Sequence, residues 1–175
     1  MNTPLRSTSP DLARRATLLA TLGLAMAGAG CSRNEPAPTF DYTLLDGSRH
    51  SSAALRGQVW LVNFWATSCV ACVKKMPGLV DTHRQFAAQG LQTLAVAMAY
   101  DAPARVAAFS ESRQLPFGVV IDNNGAVARA FGDIKATPTT LLVNRAGLIV
   151  WRHEGEASFP QLQSRIAQLL AEPAA

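Results

Sequence analysis

Cys69 and Cys72 stand two residues apart in Ser68-Cys69-Val70-Ala71-Cys72-Val73, and no other spacing in the chain points as directly to chemistry. Two cysteines placed this way at the start of a helix can close a small disulfide ring or open to a dithiol. The first sulfur then lies where unpaired backbone N–H groups and the helix dipole favour an anion. Thiolate is the attacking form of cysteine, so Cys69 is expected to be the nucleophile. Cys72, one turn inside the helix, is expected to be shielded and to act second, displacing whatever Cys69 has captured. Lys74 and Lys75 follow on the same turn. Their charge adds modestly to this pull, because lysines so placed usually face solvent. The other use of such a pair is half of a zinc site. Zinc takes about four ligands, and neither a second CxxC nor a paired histidine is present. His50, His83 and His153 stand apart from one another and read as surface or packing residues. No metal and no other cofactor is expected.

The elements that must position this pair follow from hydrophobic spacing. Val59-Trp60-Leu61-Val62-Asn63-Phe64-Trp65 is a nearly continuous apolar run rich in strand formers, as in a strand covered on both faces. The cysteines follow at once, and residues 73–88 carry helical spacing through Met76, Leu79, Val80, His83, Phe86 and Ala87. Pro77 falls within that helix and removes one backbone donor. Further strands are predicted over 40–45, 91–99 and 117–121, with helices over 102–114 and 126–131. Thr139–Val143 and Leu148–Trp151 flank Asn144-Arg145-Ala146-Gly147, a hairpin signal. Ser158 is placed to cap a last amphipathic helix whose stripe is Leu162, Ile166, Leu169 and Leu170. Alternating strands and helices that finish in a hairpin and a helix describe an α/β domain: a mixed sheet covered by helices on both faces.

Ahead of this domain the composition changes. Arg14 and Arg15 precede an apolar run from Ala16 to Ala29, too short to span a bilayer well, since spanning takes about 20 residues. A basic start, an apolar middle and small residues at the end read as a secretory signal over residues 1–30. Gly28-Ala29-Gly30-Cys31 resembles the lipobox of bacterial lipoproteins, with Gly28 in place of the usual Leu. Lipid attachment at Cys31 would also account for the odd cysteine. Cleavage after Ala27 in Ala25-Met26-Ala27 fits as well. Residues 31–39, with Pro36 and Pro38 and no hydrophobic period, read as a flexible tether. Residues 40–175 form the folded domain. Basic residues exceed acidic ones by four, and half of that excess lies in the first thirty residues. Nucleic acid is therefore not expected as a partner.

The run Phe64-Trp65-Ala66-Thr67-Ser68-Cys69-Val70-Ala71-Cys72-Val73-Lys74-Lys75-Met76-Pro77 resembles the active-site segment of the TlpA/ResA-like branch of thioredoxins, roughly F-W-A-T-W-C-x-x-C-x-x-E-x-P. The resemblance runs from about Phe40 to Leu170. It implies a thioredoxin fold with an N-terminal extension and a protein-disulfide reductase cycling between the Cys69/Cys72 dithiol and disulfide. It also implies that Thr137–Pro138, in Ala136-Thr137-Pro138-Thr139-Thr140, is a cis peptide bond beside the pair, and that Trp65, Thr137 and Pro138 form the surface on which a client docks. The partners it implies are thiols or disulfides of exported proteins and a membrane electron donor. The protein would be a monomer in the bacterial cell envelope, facing the periplasm and held to a membrane surface by its lipid. Three positions depart from the pattern: Lys75 stands where the family has Glu, Ser68 where it has Trp, and Asn63 where cytosolic thioredoxins have a buried Asp. These departures leave no carboxylate in view to deprotonate Cys72, and they remove a flat apolar rim. A copper metallochaperone of the same fold is the alternative function, with His153 as the nearest third ligand. A peroxiredoxin is not supported, because Thr67 lies two residues before Cys69 rather than three and the accompanying Pro is absent.

Overall fold

The computed structural model describes residues 34–173. The signal read over 1–30, the lipid-attachment residue Cys31 and the first part of the tether lie outside the described residues. Eight strands and four α-helices follow in chain order: β1 (Glu35–Pro36), β2 (Asp41–Thr43), β3 (Arg49–Ser51), β4 (Val59–Trp65), α1 (Val70–Phe86), β5 (Leu91–Ala97), α2 (Pro103–Arg113), β6 (Gly118–Ile121), α3 (Ala126–Ala130), β7 (Thr139–Val143), β8 (Leu148–Glu154) and α4 (Phe159–Ala171). Six strands form one mixed sheet in the order β1-β8-β7-β4-β5-β6, and β2 and β3 form a separate hairpin. β4, β5 and β6 run parallel, while β7 and β8 are antiparallel to their neighbours.

Every residue of β4 is buried, as its unbroken apolar run requires. Strand periodicity sends alternate side chains to opposite faces. Val59, Leu61 and Trp65 pack with α1, α2 and α4 through Leu79, Phe86, Val106, Leu162 and Ile166. Trp60, Val62 and Phe64 pack on the other face with Val127 and Ala128 of α3 and with Phe131 at its C-cap, which Phe40 and Tyr42 also cover. Phe131 is the centre of that second core, meeting the rings of Phe40, Trp60 and Phe64 edge-on.

Several expectations change. Residues 35 and 36, read as tether, pair with Ile149 and Leu148, and the Ala37 N–H donates to the Gly147 carbonyl. The edge of β8 offers unpaired backbone groups, and an adjacent segment can use them whatever its side chains are. The main helix begins at Val70 with Cys69 as its N-cap, which puts the cysteine pair at the helix start. It continues through Pro77 to Phe86. Ser158 occupies the N-cap of α4, but its hydroxyl makes no capping hydrogen bond. The β7–β8 turn matches its signal: the Asn144 side chain accepts the Leu148 N–H, and Gly147 takes the positive φ of 77° that the turn needs.

Candidate active site

The C-terminal ends of parallel β4 and β5 lie side by side, with Trp65 opposite Ala97. The loops leaving them therefore meet, which is where open α/β sheets commonly place their sites. From β4 the chain passes through Ala66-Thr67-Ser68 to Cys69. From β5 it passes through Ala99 and Tyr100 to Asp101. Asp101 is buried, and its carboxylate accepts both the Thr67 N–H and, at 2.6 Å, the Thr67 hydroxyl. This clamp holds the segment that delivers Cys69.

Cys69 has extended backbone and caps α1; its sulfur accepts the Cys72 N–H at 3.1 Å. Cys69 and Cys72 form a disulfide with their Cα atoms 5.2 Å apart, within the range a disulfide spans. The two sulfurs differ in access. Cys69 is half-buried and Cys72 only 3% exposed. The Thr137–Pro138 peptide is cis. The Thr137 carbonyl oxygen is 3.6 Å from Cys69 Sγ, and the Thr137 hydroxyl is 3.2 Å from the Tyr100 hydroxyl. Tyr100 and Val70 are exposed beside this group. Where Ser68 leaves no aromatic rim, Tyr100 puts one from a different loop.

Trp65 does not belong to that rim. Its side chain is fully buried, with its ring 5.2 Å from that of Phe109. The last residue of an entirely buried strand points into the core, so Trp65 supports the site from beneath and cannot touch a client. Its indole N–H has no hydrogen-bond partner among the described residues.

Cys72 faces inward onto a cavity of about 30 Å³, large enough for water. Asn63 of β4, Thr140 of β7, Pro138 and Lys75 share its wall with apolar residues of α1 and α4. The Asn63 side-chain amide donates to the Thr140 hydroxyl at 3.0 Å, which satisfies two buried polar groups with no charge. Lys75 is not turned to solvent like exposed Lys74. Its Nζ is 3.4 Å from the Glu156 carboxylate and 5.6 Å above the Phe159 ring. A carboxylate does stand against Lys75, therefore, brought by the segment between β8 and α4.

The chain matches the model of the Redoxin family over residues 32–168. It belongs to the Redoxin family. Thiol-disulfide oxidoreductase ResA of Bacillus thuringiensis subsp. konkukian is 28% identical over 133 residues, covering 76% of each chain. ResA of Halalkalibacterium halodurans is 34% identical over 121 residues, covering 69% of this chain and 68% of the relative. Among solved structures, a thiol:disulfide interchange protein of the thioredoxin family from Chlorobium tepidum superposes with a TM-score of 0.73 at 26% identity, over 80% of this chain and 99% of the other. The fold is the thioredoxin fold, and this Redoxin member is a thiol–disulfide oxidoreductase. The copper alternative is not favoured. His153 stacks on Trp151 of the same strand, opposite Thr140 and one strand outward from the Cys72 cavity. No three metal-ligating side chains gather among the described residues.

Asp101, Tyr100 and Glu156 escaped the sequence reading. Parallel pairing of β4 and β5 was the available signal for the first two, since it brings residues just after 97 beside those just after 65. Nothing in the sequence marked Glu156.

Proposed function

We propose that the protein reduces disulfides of exported proteins, with Cys69 as the attacking sulfur and Cys72 as the resolving one. The observation that carries this is the asymmetry of the pair: one sulfur half-exposed at a helix N-terminus, the other buried behind it in the same disulfide. In the reduced protein the Cys69 thiolate attacks a client disulfide. One client sulfur leaves and the other stays bound to Cys69. Cys72 then attacks Cys69 Sγ, the client is released as a dithiol, and the Cys69–Cys72 disulfide closes. Two electrons have passed to the client, so a thiol donor must reopen the pair, and a membrane electron donor fits this need. A client strand would lie against Thr137 and Pro138, with Tyr100 and Val70 at its margin.

The placement we propose is the bacterial envelope, facing the periplasm, with residues 1–30 as the signal and Cys31 as the lipid-bearing residue. Among the described residues no helix is long and apolar enough to cross a membrane. Cells expressing Cys72→Ser should accumulate mixed disulfides on Cys69, which diagonal electrophoresis and mass spectrometry would identify. The direction of electron flow is tested by the reduction potential against glutathione, with Cys69→Ser as control. A value near that of strong oxidants, about −120 mV, would overturn the reductant reading.

A further inference from the structure

Lys75 is the one charged residue among those that line the cavity under Cys72. It stands three positions after Cys72 in α1, so the two side chains share a helix face. Its ammonium group is held rather than free, with the Phe159 ring on one side and Glu156 on the other. The side chain of Lys75 is 32% exposed and that of Glu156 45%, so the pair sits at the cavity's mouth.

The remaining groups around Cys72 carry little charge. Asn63 from β4 and Thr140 from β7 are neutral and bonded to each other. His153 of β8 lies one strand away, stacked on Trp151. Asp101 is occupied with Thr67 on the Cys69 side, and Lys74 is exposed. Burial in apolar surroundings opposes the ionisation of a thiol, while a nearby cation favours it. Among the described residues that line the cavity, only Lys75 supplies that cation.

We propose that Lys75 is the positioning residue that makes Cys72 a competent resolving nucleophile, with Glu156 setting how much of its charge Cys72 feels. The proposal rests on the reading of Cys72 as the resolving sulfur. In the resolving step the Cys72 thiol gives its proton to water, and its sulfur forms a bond to Cys69 Sγ. The bond between Cys69 and the client breaks, and the electron pair leaves with the client sulfur, which takes a proton from water. Lys75 exchanges no proton in this step; its ammonium lowers the cost of the thiolate that attacks.

The test uses the full chain, with Cys31→Ser in every arm so that only the pair reacts. Reduced protein in excess is mixed with an aromatic disulfide whose released thiolate absorbs light, and both releases are followed by stopped flow across pH. The first release reports Cys69 and the second Cys72. Lys75→Met keeps the apolar stem on Phe159 and removes the charge. Its second release should slow by about tenfold at neutral pH, with a midpoint about one pH unit higher. Lys75→Arg should restore most of the rate. Glu156→Gln, an exposed change that leaves the core alone, should move the midpoint the opposite way, and the first release should change by less than about twofold in every variant. An unmoved midpoint in Lys75→Met, or shifts of the same sign in Lys75→Met and Glu156→Gln, would overturn the proposal and leave the dithiol reading standing. Absence of a second release in the parent protein would defeat the resolving role of Cys72 and the proposal together.

Discussion

The two sulfurs of one disulfide occupy environments built by different means. Cys69 is surrounded largely by backbone: the Cys72 N–H, the first turn of α1 and the Thr137 carbonyl. Cys72 is surrounded by side chains from separate parts of the chain, Asn63, Thr140, Lys75 and Phe159 among them. A backbone environment accompanies the motif wherever the motif folds. A side-chain environment depends on which residues the sheet order and α4 bring over it. The attacking sulfur thus keeps its setting through changes of sequence, and the resolving sulfur is the one that substitution can tune.

Removing each sulfur in turn gives the largest contrast. Cys69→Ser should abolish both capture and turnover, whereas Cys72→Ser should retain capture and lose turnover. Gel-shift detection of the mixed disulfide, beside a steady-state reductase assay, separates the two; equal loss of capture in both variants would erase the distinction. A smaller effect is expected on the Cys69 side from Asp101→Ala. It strips the half-buried Thr67 N–H and hydroxyl of their acceptor and should cost about 1–3 kcal/mol in urea unfolding, with Cys69 reacting less uniformly.

On the Cys72 side the corresponding probe is Gly78→Ala. A Cβ at Gly78 would run into the Phe159 ring, so the ring must swing away from the wall of the cavity. The expected cost is about 1–2 kcal/mol. The second thiol release should change more than the first, and an equal change in both would argue against separate environments. The smallest effect concerns the far end of α1. Burial lowers the pKa of His83 below its ordinary value of about 6.5, the hydrogen bond with the Pro116 backbone opposing this in part. The unfolded chain then holds the proton more tightly than the native one. The His83 contribution is complete above the ordinary value and is lost as pH falls through it towards the lowered one. Thermal unfolding between pH 7.5 and 5.5 should show a small loss of stability that His83→Gln removes, with the redox kinetics unaffected. A slope unchanged by that substitution would assign it elsewhere.

How far the site could be read in advance divides along the same line. β4 and β7 matched their expected spans residue for residue, because an apolar run bounded by turn residues carries its own limits. The pair's place at the start of α1 was legible too, but the capping role of Cys69 was not, since a cysteine cap is a weaker sequence signal than Ser or Asp. Trp65 was misassigned to the surface: its place in the motif is visible, but its burial depends on Phe109, which arrives from α2. Strand β1 was hidden, because two residues bonded through their backbone to an edge leave no pattern in side-chain polarity.

By itself the sequence determined the redox pair, the strand–loop–helix unit that presents it and the alternation that builds a covered sheet. Each is a local consequence of residue type and spacing. Only the tertiary structure decided that Asp101 clamps the loop before Cys69, that Tyr100 meets Thr137, and that Glu156 answers Lys75 beside Cys72. These contacts join residues 34, 37 and 81 positions apart, and such pairs meet only after the strands have taken their order and α4 has closed over the sheet.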